Sequence, residues 1–358
     1  SSKLDYTDPR SDPEGWAEAL SISREAVDLY LSSDVIDLHV DSFIWDRILG
    51  YDLTRRHGHG VLGARFYSQV DFPRMLAAGI TGAEWVITTN PLRGSAGRAR
   101  AFFRNLGRLR AIFDTVSDQF RVVRTEAEYR AARASGKHGA FIAIQGGNAL
   151  DHDLTDYRKI EDNVVTRVTL VHLSSSSFGS TSSPLKLRDH GLTQRGRELV
   201  EVLDEQRIFV DLAHISPKGF WGAVDAHDRS LPLIVTHTGV SGVYPHWRNL
   251  TDDQIRAIAN SGGTVGVMFH SSFLGESALG GRAAKIADHL EHIVNVAGED
   301  HASLGSDWDG AIVTPRDLPT CLELPRLVQI LLSRGHSHER IQKILGGNFL
   351  RTLRALRG

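Results

Sequence analysis

The amino-acid sequence predicts an α/β protein whose fold is a (β/α)8 TIM barrel. Eight short runs rich in β-branched residues alternate with stretches that carry charges on one face, a pattern typical of strands and helices in turn. Eight such units predict a closed parallel barrel. The alternative, an open doubly wound sheet, needs a glycine-rich phosphate loop after the first strand, where this chain has His39-Val40-Asp41-Ser42.

The predicted strands are short apolar segments spread over most of the chain. They cover residues 35–39, 82–87, 139–145, 168–172, 208–214, 233–237, 264–269 and 302–307. Helical stretches between them include residues 191–206, 251–261 and 285–297. Residues 58–69 and 173–190 are long loops after strands, and loops of this kind often cover an active site. We expect residues 1–33 to form an N-terminal helical extension and residues 34–358 to form a single barrel domain.

The composition argues against some classes of partner. With 41 basic and 43 acidic residues the net charge is −2, which provides no electrostatic surface for nucleic acid. No apolar run approaches the roughly 20 residues of a membrane span, so we expect no membrane partner. The single cysteine, Cys321, excludes an internal disulfide, and the polar first thirty residues do not resemble a signal peptide, so we expect a cytoplasmic protein.

The strongest functional signal is the position of ionisable residues at predicted strand ends. Five of the eight predicted strands end in His or Asp, namely His39, His172, His214, His237 and Asp307. The C-terminal ends of barrel strands face one mouth, so we expect these side chains to converge.

His39 and Asp41 form an H-x-D pair on one side of a strand, and both could reach one metal ion. His214 and His237 are 23 residues apart, one αβ unit, which places them on adjacent strands within reach of a shared ion. The alternative is that His39 packs in the core while Asp41 caps a loop. Taken together, the four residues predict a metal site.

Asp307 ends the eighth predicted strand in the segment Leu-Gly-Ser-Asp-Trp-Asp-Gly. A carboxylate there could ligate a metal ion and also accept a proton from water, as a general base. Asp309, two residues further on, competes for that role. Asp307 could alternatively cap a following helix.

With these positions aligned, the chain resembles the renal (membrane) dipeptidase family, peptidase family M19, of the amidohydrolase superfamily. The resemblance extends from about Asp34 to Arg351. Its motifs are residues 36–41 (IDLHVD), 70–74 (VDFPR), 144–150 (IQGGNAL), 191–193 (GLT), 210–216 (VDLAHIS), 237–239 (HTG), 248–250 (RNL), 305–310 (GSDWDG) and 345–351 (LGGNFLR). The resemblance implies a TIM barrel of the metal-dependent amidohydrolase type and, by the habit of the family, a homodimer.

The resemblance also implies a site with two zinc ions bridged by a carboxylate. His39 and Asp41 match the ligands of one ion, and His214 and His237 match those of the other. Asp307 matches a general base that also lies beside the first ion.

Two further residues match groups that act on the substrate in this family. His172 matches the histidine that binds the substrate and stabilises the tetrahedral oxyanion. Arg248 matches the arginine that pairs with the substrate carboxylate, a task suited to a planar, always-charged fork. His172 could instead be an uninvolved histidine at the mouth, and Arg248 could form a surface ion pair.

Gln145 departs from the family pattern, which places a bridging Glu before Gly-Gly. An amide offers one good oxygen ligand and no negative charge. We therefore expect Zn²⁺ at one or two positions, the second being weakened by the missing anion. Gln145 could ligate through its amide oxygen or could contact the substrate.

These residues together predict a metal-dependent hydrolase that uses metal-activated water to cleave the amide bond of a dipeptide or similar small acyl-amino acid with a free carboxylate. One alternative is a one-metal amidohydrolase, acting on a lactone or amide or as a deaminase, in which Gln145 contacts substrate. Another is a catalytically silent barrel.

Overall fold

The computed structural model describes residues 3–60 and 62–358 of the chain. The strands in these residues are β1 Ile36–Val40, β2 Gly82–Thr88, β3 Phe120–Val122, β4 His138–Gln145, β5 Val165–Thr169, β6 Phe209–Asp211, β7 Ile234–Thr238, β8 Thr264–Val267 and β9 Ala302–Leu304. Eight of these nine described strands lie side by side, all parallel, in the order β1-β2-β4-β5-β6-β7-β8-β9. The backbone N–H of Asp41 donates to the Trp308 carbonyl oxygen and that of Asp307 to the His39 carbonyl oxygen, which closes the ring.

Helices surround this ring. The α-helices are α1 Pro13–Leu20, α2 Arg24–Ser32, α3 Phe43–Leu49, α4 Phe72–Ala77, α5 Ser95–Thr115, α6 Glu126–Ala134, α7 Gln194–Glu205, α8 Pro217–Ala226, α9 Asp252–Asn260, α10 Ala284–Ala297, α11 Pro325–Ser333, α12 His338–Gln342 and α13 Asn348–Arg357. A π-helical turn, Lys343–Gly347, joins α12 to α13. No helix within the described residues is both long enough and apolar enough to cross a membrane.

The predicted barrel is confirmed, and each of the eight predicted strands overlaps an observed one. The strand ends differ from the prediction. The fifth and eighth predicted strands stop three residues early, because His214 and Asp307 have positive φ angles of 67° and 65° and therefore leave the extended conformation. The short strand β3, which pairs with β4, was not predicted, since three residues are too few to show a periodic pattern.

The N-terminal helices lie where the sequence predicts a helical extension. Ser23 accepts a backbone hydrogen bond at the start of α2, and its own N–H donates to Gln329 of α11. Arg326 donates to the Leu20 carbonyl oxygen at the end of α1. These contacts attach the segment to the outer helices, and the division of the chain into an extension and a barrel stays a prediction.

The interior of the ring holds a charged layer beneath the mouth. The Arg167 guanidinium of β5 lies 2.9 Å from Glu84 of β2 and 3.3 Å from Asp211 of β6, and all three side chains are fully buried. Charges buried this deeply need partners, because each would otherwise lose its hydration without compensation. This layer supports the residues directly above it at the C-terminal ends of the strands.

Candidate metal and active site

The structure brings the predicted site residues together at the C-terminal mouth of the barrel. Asp41, His172, His214, Arg248 and Asp307 line one cavity of about 350 Å³. The geometry agrees with the expectation that side chains scattered through the sequence converge where parallel strands end. Positive φ angles at two of these residues, His214 and Asp307, mark backbone strain of the kind that concentrates at functional sites.

Three nitrogen atoms form the centre of the site. The Nε2 atoms of His214 and His237 lie 3.0 Å apart, and the Gln145 amide nitrogen lies 3.1 Å from the first and 3.2 Å from the second. Two imidazole ligands of one tetrahedral zinc ion, each about 2.0–2.1 Å from it, would lie about 3.3 Å apart. The spacing is therefore close to that of two ligands of a shared ion.

The orientation of Gln145 follows from its neighbours. The Thr88 hydroxyl donates its single hydrogen chiefly to Asp41 Oδ1 at 2.7 Å, and Gln145 Oε1 lies 3.3 Å from the same hydroxyl oxygen. The amide NH2 group consequently faces the two imidazoles and can donate one hydrogen to each. A carboxylate in this position could donate none.

His39, His237 and Asp307 form a second group of donor atoms that overlaps the first. One ligand atom from each lies within 4.8 Å of the other two. His39 Nε2 is 3.4 Å from Asp307 Oδ1 and 4.0 Å from Asp41 Oδ2, and it has no hydrogen-bond partner among the described residues. A buried, unsatisfied nitrogen that faces two carboxylates is suited to a cation.

His237 therefore belongs to both groups. Its ring stacks on that of His39, with centroids 3.7 Å apart, while its Nε2 faces His214. The family resemblance implies that His39 and His237 bind separate ions, whereas the geometry places His237 between His39 and His214.

Burial controls the protonation states of the site. It lowers the pKa of His39, His214 and His237 well below the ordinary value, and the nearby Arg167 charge adds to this effect. These imidazoles are therefore neutral at physiological pH, so each has one ring nitrogen with a lone pair that can bind a metal ion. Burial also raises the pKa of Asp41 to about 7 and that of Asp307 well above its ordinary value. A bound cation would keep both carboxylates ionised.

The tautomer of His237 is set by a chain of hydrogen bonds. Thr236 Oγ1 donates to Asp211 Oδ2 at 2.6 Å, so its oxygen can accept from His237 Nδ1 at 2.9 Å. The ring proton therefore lies on Nδ1 and the Nε2 lone pair points into the site. Hydrogen bonds of this type commonly orient histidine ligands of metals.

His39 has a different neighbour on its second nitrogen. Arg167 Nη2 lies 2.9 Å from His39 Nδ1 and donates to the Leu38 carbonyl oxygen at 2.8 Å. A guanidinium can only donate, so this contact favours a proton on His39 Nε2. Metal binding through Nε2 requires the proton on Nδ1, with Arg167 keeping its bond to Leu38.

The hydrogen bonds of Asp307 and Asp309, the two candidate general bases, distinguish their roles. Asp309 accepts hydrogen bonds from Ser42 Oγ at 2.5 Å and from the Gln69 backbone N–H at 2.8 Å, so its carboxylate is engaged in holding loops together. Asp307 instead lines the cavity, and its Oδ1 lies 3.4 Å from His39 Nε2. Asp307 is therefore better placed to accept a proton from a molecule in the cavity.

His172 and Arg248 line the same cavity. Burial, aided by the Arg248 charge, lowers the pKa of His172 to about 4, so its imidazole is neutral. Arg248 is only 3% exposed, donates through Nη2 to the His237 carbonyl oxygen at 2.6 Å, and leaves its Nε without a partner in the described residues. The surface ion pair considered for Arg248 is thereby excluded.

Several residues that shape the site were not found from the sequence. Thr88, Arg167, Asp211 and Thr236 hold the predicted ligands through hydrogen bonds and ion pairs. Arg167 and Asp211 are detectable in principle, because each places a charge inside an otherwise apolar strand. Threonine is common in strands and gives no comparable signal.

Imidazole and carboxylate groups that converge at the C-terminal mouth of a (β/α)8 barrel define a class of metal-binding barrel proteins. Within that class the chain belongs to the membrane dipeptidase family, peptidase family M19, whose model matches residues 23–357. Membership of a metallopeptidase family implies a metal ion, and the donor atoms of His39, His237 and Asp307 form a candidate site for it.

Individual relatives agree with this assignment. The dipeptidase tcpJ of Claviceps purpurea (strain 20.1) is 28% identical over 256 residues, which are 71% of this chain and 60% of that protein. A protein of Klebsiella pneumoniae in the pqqA 5′ region is 38% identical over 167 residues, 46% of this chain and 60% of that protein. The chain thus spans 60% of the length of each of these two curated relatives.

Solved structures share the fold over nearly the whole chain. The structure of dipeptidase AC, a metallopeptidase of family M19, has a TM-score of 0.81 and 27% identity, covering 91% of this chain and all of that one. A metallopeptidase from Rhodobacter sphaeroides, liganded with a phosphinate mimic of the dipeptide L-Ala-D-Ala, has a TM-score of 0.81 and 25% identity. The match covers 90% of this chain and 99% of that one.

Proposed function

We propose that this protein is a metal-dependent hydrolase that cleaves the amide bond of a dipeptide or a similar small acyl-amino acid with a free carboxylate. The observation that carries the proposal is the convergence of His39, His237 and Asp307 at the barrel mouth in a chain of a metallopeptidase family. His214 and Asp41 adjoin this group, and Arg248 lines the same cavity.

The donor atoms fit a zinc ion. His39, Asp41, His237 and Asp307 would hold one ion, because mixed imidazole and carboxylate ligation suits Zn²⁺ and the unpaired His39 Nε2 points at the carboxylates. His214 and the Gln145 side chain would remain for a second ion, a set without an anion, because the single Nε2 lone pair of His237 can serve only one ion. When bound, zinc lowers the pKa of water and polarises the substrate carbonyl group.

The chain's own residues divide the remaining tasks. Asp307 accepts the proton of the attacking water on a carboxylate oxygen and returns it to the leaving amine nitrogen, a role that its place in the cavity lining allows. His172, at the cavity wall, binds the carbonyl oxygen and stabilises the developing negative charge. Arg248 orients the substrate by pairing its free N–H groups with the terminal carboxylate.

A one-metal variant of this hydrolase is favoured by a specific observation at Gln145. Its amide nitrogen, and not an oxygen, faces the imidazoles of His214 and His237. In that variant Gln145 contacts the substrate, and the chemistry extends to lactones or to amine release.

Metal analysis together with dipeptide hydrolysis tests the proposal. Purified protein loaded with Zn²⁺ is expected to retain at least one ion per chain and to hydrolyse dipeptides, and His237→Ala is expected to lose most of both. The matched control is His227→Ala, because His227 is a buried histidine bonded to the Leu231 carbonyl oxygen away from the mouth. Metal content unchanged by His237→Ala would contradict the ligand assignment, and zinc-loaded protein inert toward all dipeptides would contradict the reaction.

A further inference from the structure

A second cavity, of about 680 Å³, opens beside the cavity at the barrel mouth. Four arginines line it, which we call the arginine wall: Arg47 of α3, Arg93 after β2, and Arg104 and Arg108 of α5. Arg104 and Arg108 are four residues apart and so lie on one face of their helix. The volume is within the range of small-molecule sites.

The arginine wall carries more positive charge than its surroundings balance. Arg108 forms an ion pair with Asp46. Arg93 and Arg104 have no carboxylate within ion-pair distance in the part of the chain that the structure describes, and the cavity lining in that part includes no acidic side chain. Arg47 donates to the Thr88 carbonyl oxygen at 2.9 Å and forms no ion pair among the described residues.

Three guanidinium groups of the wall lie close enough to Arg47 to affect its pKa. Burial lowers the pKa of Arg47, and the charges of Arg93, Arg108 and Arg104 lower it further, while Asp41 opposes them. Like charges held together destabilise a fold unless they bind an anion. The arginine wall therefore carries positive charge that nearby carboxylates only partly neutralise, as in a site for an anion.

The two cavities are continuous. Ile44, Thr88, His172 and Leu173 line both of them, so a molecule at the barrel mouth can extend directly into the second cavity. The exposed side chain of Leu173 adds an apolar contact to this passage. Arg248, in contrast, lines the cavity at the mouth and is absent from the lining of the second cavity.

The arginine wall and Arg248 are attached to distant parts of the barrel ring. The wall adjoins β1 and β2, while Arg248 follows β7, and β2 and β7 are four places apart in the ring of eight. A substrate whose terminal carboxylate binds Arg248 would direct its opposite, acyl end toward the arginine wall.

We propose that the arginine wall binds a carboxylate on the acyl side of the scissile amide, so that the preferred substrate is anionic at both ends. This inference rests on the proposed function, which supplies the orientation of the substrate. Fitting substrates are dipeptides that begin with Asp or Glu and amino acids acylated by a dicarboxylic acid. The wall disfavours an uncompensated α-ammonium group, because like charges repel in a partly buried cavity.

Matched substrate pairs test the inference. L-Glu-L-Ala and L-Gln-L-Ala differ in one charge, as do N-succinyl-L-alanine and N-succinamoyl-L-alanine. The zinc-loaded parent protein is expected to show kcat/KM about tenfold higher for the anionic member of each pair, a ratio that corresponds to about 1.4 kcal/mol. The ratio should fall as salt rises, since the wall is partly exposed.

Substitutions locate the effect. Arg104→Gln is expected to reduce the charge preference about threefold, and Arg93→Gln combined with Arg104→Gln to reduce it to near unity, in the manner of partly exposed ion pairs. The matched control is Arg100→Gln, an exposed arginine of the same helix that does not line the cavity. An unchanged preference in the double variant, or an equal loss in the control, would overturn the inference.

Direct binding separates this inference from the proposed function. Calorimetry with N-succinyl-L-alanine needs no turnover, and the parent protein is expected to bind it about tenfold more tightly than the succinamoyl compound. If no compound is hydrolysed but this difference persists and disappears in the Arg93 and Arg104 double variant, the reaction is wrong and the anion site stands. If hydrolysis proceeds without any charge preference, the reaction stands and the anion site is refuted.

Discussion

Gln145→Glu is expected to increase the affinity of the site for a second metal ion. In the structure the Gln145 amide nitrogen lies 3.1 Å from His214 Nε2 and 3.2 Å from His237 Nε2, so a carboxylate oxygen in its place would lie beside any ion that these imidazoles bind. The substitution adds one negative charge and removes two competing N–H donors. Both changes favour binding of the second metal ion.

The size of the effect follows from the charges. At an effective dielectric constant of about 20, two unit charges 4 Å apart interact by about 4 kcal/mol, and a dication doubles this to about 8 kcal/mol. Burying the carboxylate costs several kcal/mol. A net gain of about 3 kcal/mol remains, which lowers the Kd of the second ion about 100-fold.

Two measurements check this prediction for Gln145→Glu. Elemental analysis after dialysis against buffered zinc should give about one ion per chain for the parent protein and about two for the variant. Without metal the variant should unfold at a lower temperature than the parent, because its carboxylate is buried near Asp41 and faces two imidazoles that it cannot satisfy.

The matched control is Gln119→Glu, since Gln119 is a buried glutamine bonded to the Leu4 backbone, outside the barrel mouth. This control should leave metal content unchanged. A parent protein that already retains two ions and hydrolyses dipeptides rapidly would refute the reasoning, because the amide would then be an adequate ligand.

Three further substitutions test separate parts of the site. Thr236→Val removes the acceptor that fixes the tautomer of His237 and should weaken metal binding about 10–100-fold, measured by chelator competition. Arg248→Lys should raise KM for carboxylate-bearing dipeptides more than it lowers kcat, because an ammonium group cannot form a two-pronged contact. Arg167→Met leaves Glu84 unpaired in the barrel interior and should lower the free energy of unfolding by about 3–5 kcal/mol in urea titrations.

Each of these substitutions has a matched control. Thr166→Val alters a buried threonine bonded to the Ile142 carbonyl oxygen and should leave metal affinity unchanged. Arg256→Lys alters an exposed arginine and should leave KM unchanged. Arg197→Met breaks an exposed ion pair with Asp225 and should cost at most about 1 kcal/mol. Equal effects in a variant and its control would contradict the role assigned to the first residue.

The barrel and the mouth residues could be predicted because two strong patterns agree. Alternating apolar and amphipathic segments indicate parallel strands and helices, and strand-end residues such as His237 fall where a barrel collects them. The exact strand ends could not be predicted, since the positive φ angles of His214 and Asp307 arise from the packed mouth and not from local propensity.

The arginine wall could not be predicted for a different reason. Arg47, Arg93 and Arg104 lie far apart in sequence, on amphipathic or loop segments where arginine usually faces solvent. Their common cavity depends on how α3 and α5 pack beside β2, which no periodic pattern specifies. The net charge of −2 for the whole chain also gives no information about a local concentration of positive charge.

The charges at the barrel mouth connect Gln145 with the arginine wall. Neutral imidazoles and an amide add no charge, so Asp41 and Asp307 supply the negative charge of the ligand set, enough to balance one dication. A second dication would leave an excess of positive charge next to Arg248 and the arginine wall, and this excess could be balanced only by the substrate. A substrate with carboxylates at both ends brings that charge. On the proposed function and the proposed anion site, Gln145→Glu should therefore weaken the preference for anionic acyl groups as it strengthens the second metal position.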